Sequence, residues 1–353
     1  MTTRHQCLTL GHMTAEPTLC AIVPPYVLDR LAEDGHEPAA RSLALDAAHR
    51  AARLTAALPD RAAAADRLER VISDAAHRER LPGRTVRREG EGAVPDQSVN
   101  HAYDGLGATW TLFSAVYGRH SIDDQGLRLD ATVHYGQDYD NAFWDGRRMV
   151  FGDGDGEVFG DFTACIDVIG HELAHGVTQF TAGLEYRDQP GALNESVSDV
   201  FGSLVKQYAL LQDAAEADWL IGAGLLAPGV QGVALRSMKE PGTAYDDPRL
   251  GKDPQPAHMR DYVRTGQDNG GVHINSGIPN HAFYLLATAL GGRSWERAGQ
   301  IWYDALTGRR LPADADFTAF ARATVAAAKA RYPEPKVADT VTASWAKVGI
   351  SPT

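Results

Sequence analysis

Two histidines and a glutamate form a short motif near the middle of the chain, at His171, Glu172 and His175. Side chains four residues apart lie on the same face of a helix, so the two imidazoles can bind one metal ion. Glu172 lies beside them and can act as a base toward water on that metal. We therefore predict a zinc-hydrolase site on a helix over residues 167–181. The alternative for this motif alone is a solvated helix face with two unrelated histidines.

A third metal ligand is predicted on the following helix, at Glu195. Two imidazoles and one carboxylate leave a coordination position open for water, which is typical of a catalytic zinc site and not of a structural one. Asp199 lies one helical turn after Glu195 and is suited to accept the second N–H of a ligand histidine. Asn194 adjoins Glu195, and we expect Asn194 and Asp199 directly behind the ligands. The alternative for Glu195 by itself is an exposed helix carboxylate.

A glycine-rich stretch over residues 266–277 carries a further group of polar side chains. Its glycines, together with Gln267, Asp268 and Asn269, predict a tight loop of defined shape. His273 could donate a hydrogen bond to a developing oxyanion, and Asp268 could orient its imidazole. Without the metal motif, His273 would be interpreted as a capping or buried histidine.

Taken together, these stretches resemble the thermolysin family of zinc metallopeptidases. The segments that carry the resemblance are residues 141–144, 171–175, 181–186, 191–195, 235–238 and 268–277. The resemblance covers roughly Leu81 to the C-terminus, and the joint order and spacing of these segments are highly specific. The resemblance implies an α+β fold with a β-rich N-terminal lobe and an α-helical C-terminal lobe, joined by the zinc-binding helix and preceded by a short helical propeptide. The implied ranges are 1–65 for the propeptide, 66–189 for the β-rich lobe with the active-site helix and 190–353 for the helical lobe.

The resemblance also implies a role for each matching residue. The first group forms the catalytic centre around one zinc ion: His171, His175 and Glu195 as ligands, Glu172 as general base, Tyr186 and His273 as oxyanion donors, and Asp268 behind His273. The second group binds the substrate: Asn141, Ala142 and Arg236 on its backbone, and Val168 and Leu235 around the side chain after the scissile bond. The implied activity is hydrolysis, in proteins or peptides, of bonds on the amino side of hydrophobic residues. The alternatives are a peptidase with one narrow protein target and a catalytically silent binding protein on a peptidase fold.

Calcium binding is expected to be weak or absent. Asp167 and Asp218 match acids with which many family members hold structural calcium, but Lys206 and Ala223 stand where two other acids are usual. Val233 likewise replaces an acid of a second calcium site. A lysine ammonium can neutralise Asp167 directly, in place of a cation.

The N-terminal segment contains Pro24, Pro25 and Tyr26 after an apolar stretch. Adjacent prolines predict an extended segment, and the spacing over residues 28–58 predicts one or two helices. The segment is similar to the short propeptide of protealysin-like members of the family, which implies that Pro24, Pro25 and Tyr26 lie across the active site and inhibit it. The alternatives are an arm that packs elsewhere, and a thiol switch with Cys7 or Cys20 on the zinc.

Composition limits the partners and the compartment. The formal net charge of −12 argues against nucleic acid, which requires clustered Lys and Arg. No apolar run approaches the ~20 residues of a membrane span, and none at the N-terminus has the length of a signal-peptide core. We expect a cytoplasmic protein as synthesised, with release by a non-classical route left open. Three cysteines make no disulfide framework, although a Cys7–Cys20 bridge stays open, and Cys165 is expected to be a buried apolar residue.

The spacing of apolar residues predicts the remaining elements. Strands are expected over residues 129–135 and 148–151, with short β runs and turns over 81–98. Helices are expected over residues 110–117, 193–210, 281–290, 295–306, 317–332 and 337–348.

Overall fold

A computed structural model describes residues 21–55 and 67–352 of the 353-residue chain. Cys7 and Cys20 lie outside these residues, and so do the bridge and the thiol switch predicted for them. Cys165 is free and buried, as expected. Within the two described ranges, no helix is long and apolar enough to cross a membrane.

The N-terminal described part is a short extended stretch followed by two helices, α1 (Pro25–Glu33) and α2 (Glu37–Thr55). The prediction that both prolines are extended is wrong for Pro25. Pro24 has extended backbone angles (φ −62°, ψ 144°) and precedes the helix, whereas Pro25 opens it. A proline suits the first helical position because its φ is preset and its missing N–H has no helical acceptor there. Tyr26 therefore also lies on α1.

One five-stranded sheet follows. Its strands are β1 (Arg70–Asp74) and β2 (Arg84–Arg88), then, after helix α3 (Gln97–Tyr117), β3 (Leu129–Val133), β4 (Ala142–Trp144) and β5 (Met149–Phe151). The order is β2-β1-β3-β5-β4, in which β1, β3 and β5 are parallel and the two outer strands are antiparallel to their neighbours. The predictions for β3 and β5 are confirmed to within two residues. Strand β4 is at the edge of the sheet, so one side of its backbone is available to another segment.

Helix α3 is much longer than the predicted helix over residues 110–117. Gly105 and Gly107 lie inside this helix. Because glycine disfavours a helix interior, the sequence did not predict the first half of α3. The structure shows why Gly105 is needed: a Cβ atom there would lie 2.3 Å from Cδ1 of Ile169. Helix α3 therefore packs directly on the helix that carries the predicted metal ligands.

The rest of the chain is mostly helical, as predicted. It contains helices α4 (Ile166–Gln179) and α5 (Asp188–Leu210), the short strand pairs β6 (Leu220–Ile221) with β7 (Arg236–Ser237) and β8 (Asp246–Asp247) with β9 (Gly251–Lys252), and helices α6 (Asp268–Asn275), α7 (Gly277–Leu290), α8 (Ala298–Thr307), α9 (Phe317–Arg331) and α10 (Pro335–Lys347). Helix α5 begins at Asp188, earlier than predicted. Pro190 does not prevent this, because it lies in the first turn, where proline removes no helical hydrogen bond.

Helices α4 and α5 touch backbone to backbone at a pair of glycines. A Cβ atom on Gly202 of α5 would lie 2.4 Å from the carbonyl oxygen of Asp167 on α4. One on Gly170 of α4 would lie 3.1 Å from the Cα of Gly202. Side chains of α4 and α5 therefore meet in one buried site.

Candidate active site

The three predicted metal ligands meet between α4 and α5. The Nε2 atoms of His171 and His175 are 3.0 Å apart. Glu195 of α5 places one carboxylate oxygen 3.5 Å from the His171 Nε2 and the other 3.6 Å from the His175 Nε2. All three side chains are buried. This one-helix histidine pair with a carboxylate from the next helix is the predicted arrangement.

The hydrogen bonds behind the ligands show that this donor set fits a cation. The Nδ1 of His171 lies 2.8 Å from the Asp199 carboxylate, and the Nδ1 of His175 lies 2.8 Å from Asn194 Oδ1. Because both partners are acceptors, each imidazole carries its proton on Nδ1 and turns an Nε2 lone pair toward the other. Two facing lone pairs and a buried carboxylate require a positive ion between them, and two nitrogens and one oxygen are suited to zinc. Asn194 and Asp199 lie where they were expected.

The electrostatics of the site keep its ligands in the metal-binding state. Burial lowers the pKa of His175 to about 3, so the imidazole is neutral at physiological pH. Burial by itself would raise the pKa of Glu195, but the positive charge of neighbouring groups, His273 first and the Arg236 guanidinium among them, outweighs burial, and the pKa falls to about 2. Both groups are therefore ready to bind a cation without first losing a proton.

Glu172 is held at this centre by the sheet. Its Oε2 accepts the backbone N–H of Trp144 at 2.9 Å, and its side chain is fully buried. Trp144 is the last residue of edge strand β4, so the strand that was expected to bind substrate also positions the base. This backbone donor was not predicted, because almost every residue type has a main-chain N–H and the sequence does not show which one will bond to Glu172.

Tyr186 and His273 form the opposite wall. The Tyr186 hydroxyl donates to Oε1 of Glu195 and lies 3.2 Å from the His273 Nε2. Asp268 accepts from the His273 Nδ1 at 2.6 Å and from its backbone N–H at 2.8 Å. Burial lowers the pKa of His273, but Glu195 and Asp268 raise it by more, so the pKa of this imidazole lies above its ordinary value.

The backbone around Asp268 is more compact than the predicted loop. Asp268 begins α6, but Asn269, Gly270 and Gly271 have left-handed backbone angles, with φ of 49°, 87° and 77°. Glycines tolerate this conformation without the steric cost that a Cβ imposes. The chain thus turns tightly before the helical turn that carries His273. The prediction of a shaped turn is confirmed, and the regular turn after it was missed.

Arg236 of β7 links the metal ligands to the cleft. Its Nε and one terminal nitrogen donate to the carboxylate of Asp199, at distances down to 2.8 Å. Asn280 of α7 donates its Nδ2 to the same carboxylate at 2.8 Å. Asp199 therefore holds His171 and Arg236 together, and the guanidinium holds the pKa of Asp199 below its ordinary value against the raising effect of burial. Asn280 was not predicted; an asparagine within an apolar helix was the only sign of it.

The cleft is occupied by the chain's own N-terminal segment. Ile22 donates its N–H to the Ala142 carbonyl at 3.1 Å and accepts from Arg236 at 3.0 Å. Val23 donates its N–H to Asn141 Oδ1 at 2.9 Å and accepts from Asn141 Nδ2 at 3.3 Å. Asn141, Ala142 and Arg236 are the residues expected to bind a substrate backbone.

The predicted composition of the inhibitory segment needs correction. Pro24, Pro25 and Tyr26 were expected across the active site, but the hydrogen bonds to the cleft residues come from Ile22 and Val23. Pro24 and Pro25 have no N–H to donate, and Pro25 has already turned the chain into α1. Pro25 nevertheless lines the cavity that contains Tyr186 and His273, so the predicted segment lies at the active site although its prolines do not bond to it.

Helix α2 closes over the segment through a polar face that was not predicted. Asp46 accepts from the Tyr139 hydroxyl and, at 2.9 Å, from Asn141 Nδ2. One turn before it, Ser42 accepts the Asp140 N–H at 2.9 Å, and after it His49 lies 2.7 Å from the Tyr135 hydroxyl. Polar residues at helical spacing within an Ala- and Leu-rich stretch were the available sign of this face.

The predicted apolar pair, Val168 and Leu235, lies beside residues of the site along the chain. Val168 lies on α4 one turn before the ligand histidine pair, and Leu235 directly precedes Arg236. Both are buried, and both belong to the continuous apolar core that also contains Ile22. Lys206 of α5 lies away from the cleft, with its ammonium 3.2 Å from Asp167 and 2.8 Å from Asp218.

Comparison with known proteins agrees with this geometry. Residues 66–179 match the family model of the thermolysin metallopeptidase catalytic domain, and residues 182–350 match that of its alpha-helical domain. The chain is 52% identical over 336 residues to an extracellular metalloprotease of Pectobacterium carotovorum subsp. carotovorum, covering 94% of this chain and 96% of that protein. It is 48% identical over 340 residues to Protease PrtS of Photorhabdus sp. (strain Az29), covering 93% and 91%.

A solved structure is similar over almost the whole described chain. The precursor of protealysin, a metalloproteinase from Serratia proteamaculans, superposes with a TM-score of 0.87 at 53% identity, covering 94% of this chain and 100% of that one. That solved structure is of a precursor form. These matches decide against a catalytically silent binding protein. The chain belongs to the thermolysin family of metallopeptidases and is a zinc-dependent neutral endopeptidase made as a precursor with a propeptide.

Proposed function

We propose that this peptidase cleaves proteins or peptides on the amino side of hydrophobic residues, and that its N-terminal segment inhibits it by occupying the substrate cleft. The observation that carries the proposal is the pairing of the segment with Asn141, Ala142 and Arg236. A substrate backbone offers the same N–H and carbonyl groups, so segment and substrate compete for one set of partners. Val168 and Leu235 supply the apolar surroundings for the hydrophobic side chain.

The residues of the metal centre have different chemical roles in peptide hydrolysis. Zinc held by His171, His175 and Glu195 would lower the pKa of a bound water to ~7 and polarise the peptide carbonyl. Glu172 takes the proton of the attacking water and passes it to the leaving amine. Tyr186 and His273 donate hydrogen bonds to the oxyanion, whose charge exists only near the transition state.

The support for His273 as an oxyanion donor lies in its partners. Asp268 fixes its Nδ1 and favours the charged imidazole, which leaves the Nε2 proton directed at the cleft beside Tyr186. Arg236 and Asn141 hold the substrate backbone on the other side of the reacting bond. Asp268 holds His273 and Asp199 holds Arg236, which fixes the direction of both donors before substrate binds.

The decisive test is Glu172→Gln in the full chain, compared with the unmodified chain after the same brief trypsin treatment to relieve inhibition. The substitution keeps the shape of the side chain but removes the base, so hydrolysis of casein should fall by roughly 10²- to 10⁴-fold while one zinc per chain is retained. Glu296→Gln, at an exposed position, is the matched control and should leave hydrolysis unchanged. Full hydrolysis by Glu172→Gln would contradict the mechanism.

The division of the chain into a propeptide (1–65), a β-rich lobe (66–189) and a helical lobe (190–353) follows from the same proposal. The first matched family residue is 66, directly after the proposed propeptide. A chain that begins at Arg67 should hydrolyse casein faster than the full chain at equal zinc content. Equal rates for the two chains would mean that the segment does not inhibit.

The proposal also includes weak or absent structural calcium. The Lys206 ammonium lies between Asp167 and Asp218, where it supplies the positive charge that a cation would otherwise provide. Lys206→Ala should lower the free energy of unfolding by up to about 3 kcal/mol, because Asp167 is buried and loses its cation. Lys206→Glu should bind calcium and regain stability when calcium is added. Thermal unfolding with and without calcium checks this, and a calcium-dependent midpoint in the unmodified chain would contradict it.

A further inference from the structure

The direction of the segment in the cleft determines which of its peptide bonds meets the catalytic residues. Ala21 forms an antiparallel bridge with Phe143, and Ile22 bonds to the neighbouring Ala142. Trp144, the next residue of β4, bonds to the carboxylate of Glu172. The chain therefore approaches the base as it runs backward from Val23 through Ile22 to Ala21.

The carbonyl groups of the segment differ in their partners. The Ile22 carbonyl accepts from Arg236 at 3.0 Å, and the Val23 carbonyl accepts from Asn141 at 3.3 Å. Neither is bonded to an oxyanion donor. Ala21 lines the same cavity as Tyr186 and His273, and so do Val23 and Pro25. Because the Ile22 and Val23 carbonyls are bonded to Arg236 and Asn141, and the chain runs toward Glu172 at Ala21, the Ala21 carbonyl is the one of the three that an oxyanion donor can reach.

We infer that the Ala21–Ile22 peptide bond is a self-cleavage site, presented to the chain's own active site as a substrate. The inference rests on the proposed function. Ile22 is the hydrophobic residue on the carboxyl side of this bond, is fully buried, and belongs to the same apolar core as Val168 and Leu235. Its N–H and carbonyl already bond to Ala142 and Arg236, two of the residues expected to bind a substrate backbone.

The reaction is an ordinary hydrolysis and needs no other reactant than water. Water adds to the carbonyl carbon of Ala21, and Glu172 takes its proton. The bond between that carbon and the Ile22 nitrogen breaks, and Glu172 returns the proton to the nitrogen. Ala21 then ends in a carboxylate and Ile22 begins with an amine, while residues 22–55 keep their other contacts with the cleft.

The test follows the intact mass of the full chain after zinc is restored to protein prepared in chelator. The expected result is loss of residues 1–21 with a new N-terminus at Ile22, at a rate unchanged by tenfold dilution because the reaction is intramolecular. Glu172→Gln should stay intact. First cleavage at another bond, or a rate proportional to protein concentration, would overturn the inference.

A second readout separates this inference from the proposed function. The same preparations are treated briefly with trypsin and assayed on a hydrophobic reporter peptide. A chain that hydrolyses the reporter but never cuts Ala21–Ile22 overturns the self-cleavage site alone. A zinc-loaded chain that hydrolyses neither overturns the proposed function.

Two variants at Ile22 test the role of its side chain. Ile22→Leu keeps an apolar group and should be cut at the same bond within about threefold of the unmodified rate. Ile22→Asp places a carboxylate in apolar surroundings and should be cut at least tenfold more slowly, since burying an unpaired charge is costly. Ala40→Asp, on the exposed face of α2, is the control and should be cut normally. Equal rates for Ile22→Asp and Ala40→Asp would contradict the proposed role.

Discussion

Two buried carboxylates are held in different ways. Asp199 lies in the metal centre, and Asp46 lies on helix α2, which covers the segment in the cleft. Asp199 accepts from the Arg236 guanidinium, His171 and Asn280, and its pKa lies below its ordinary value. Asp46 accepts from the Tyr139 hydroxyl and an Asn141 amide, which do not offset burial, and its pKa rises to about 6. The carboxylate of the permanent centre is thus fully compensated by hydrogen-bonded charge, whereas Asp46 has hydrogen-bond dipoles and the charge of Arg50, which together do not offset its burial.

The largest effect on stability and zinc binding is expected at Asp199, because the partners of this buried carboxylate fully compensate its charge. Asp199→Asn leaves the buried Arg236 without its counter-ion, which should lower the free energy of unfolding by about 3–5 kcal/mol. It also loosens His171, so zinc affinity should fall roughly 10- to 100-fold. Chemical unfolding and zinc competition with a chelator measure the two effects.

The control for this prediction is Asp246→Asn, which removes the charge of an exposed carboxylate. It should change neither stability nor zinc affinity. Unaltered zinc binding in Asp199→Asn would show that Asp199 is not part of the metal centre in function.

A smaller effect, dependent on pH, is expected at Asp46. Its pKa in the docked segment is about 6, above the ordinary 3.8, so docking is strongest while the carboxyl is protonated. This contribution is complete below about pH 4 and is lost as the pH rises through 6, which weakens docking by at most about 100-fold. Asp46→Asn should remove this part of the dependence. Hydrogen exchange of the α2 amides in a Glu172→Gln background, corrected for intrinsic rates, measures it.

Asp29→Asn, at an exposed position on α1, is the control for the pH experiment. It should keep the loss of α2 protection between pH 4 and 6. If Asp46→Asn shows the same loss as Asp29→Asn, the carboxyl of Asp46 does not control docking, and the contrast with Asp199 fails.

The smallest effect is expected at Asn280, which donates one of several hydrogen bonds to Asp199. Asn280→Leu removes a bond to a charged group, a loss of about 1.5–3 kcal/mol at most, and zinc affinity should fall roughly tenfold. Asn280→Asp places a second carboxylate against Asp199 and should weaken zinc binding further. Equal zinc affinity in all three chains would show that Arg236 and His171 are sufficient to hold Asp199.

Much of the metal centre could be predicted because its spacing is local. His171 and His175 are one helical turn apart, and so are Glu195 and Asp199, so helix geometry alone places each pair on one face. The roles of Tyr186, Arg236 and Asn141 came from resemblance to a family. Their positions in the structure agree with those roles, which remain to be tested by mutation. Where this chain is found in or outside the cell also stays a prediction.

The amino-acid sequence by itself determined the ligand set and the helices that carry it. It also showed Lys206 at a position where the family usually has an acid. Only the tertiary structure decided that Ile22 and Val23, not the prolines, bond to the cleft, and that Asp46 and Asn280 support it. Asp46 is 95 residues from Asn141, and Asn280 is 81 residues from Asp199. No periodicity spans such separations, because these contacts form only when whole elements pack and a buried polar group must find whichever partner the packing brings.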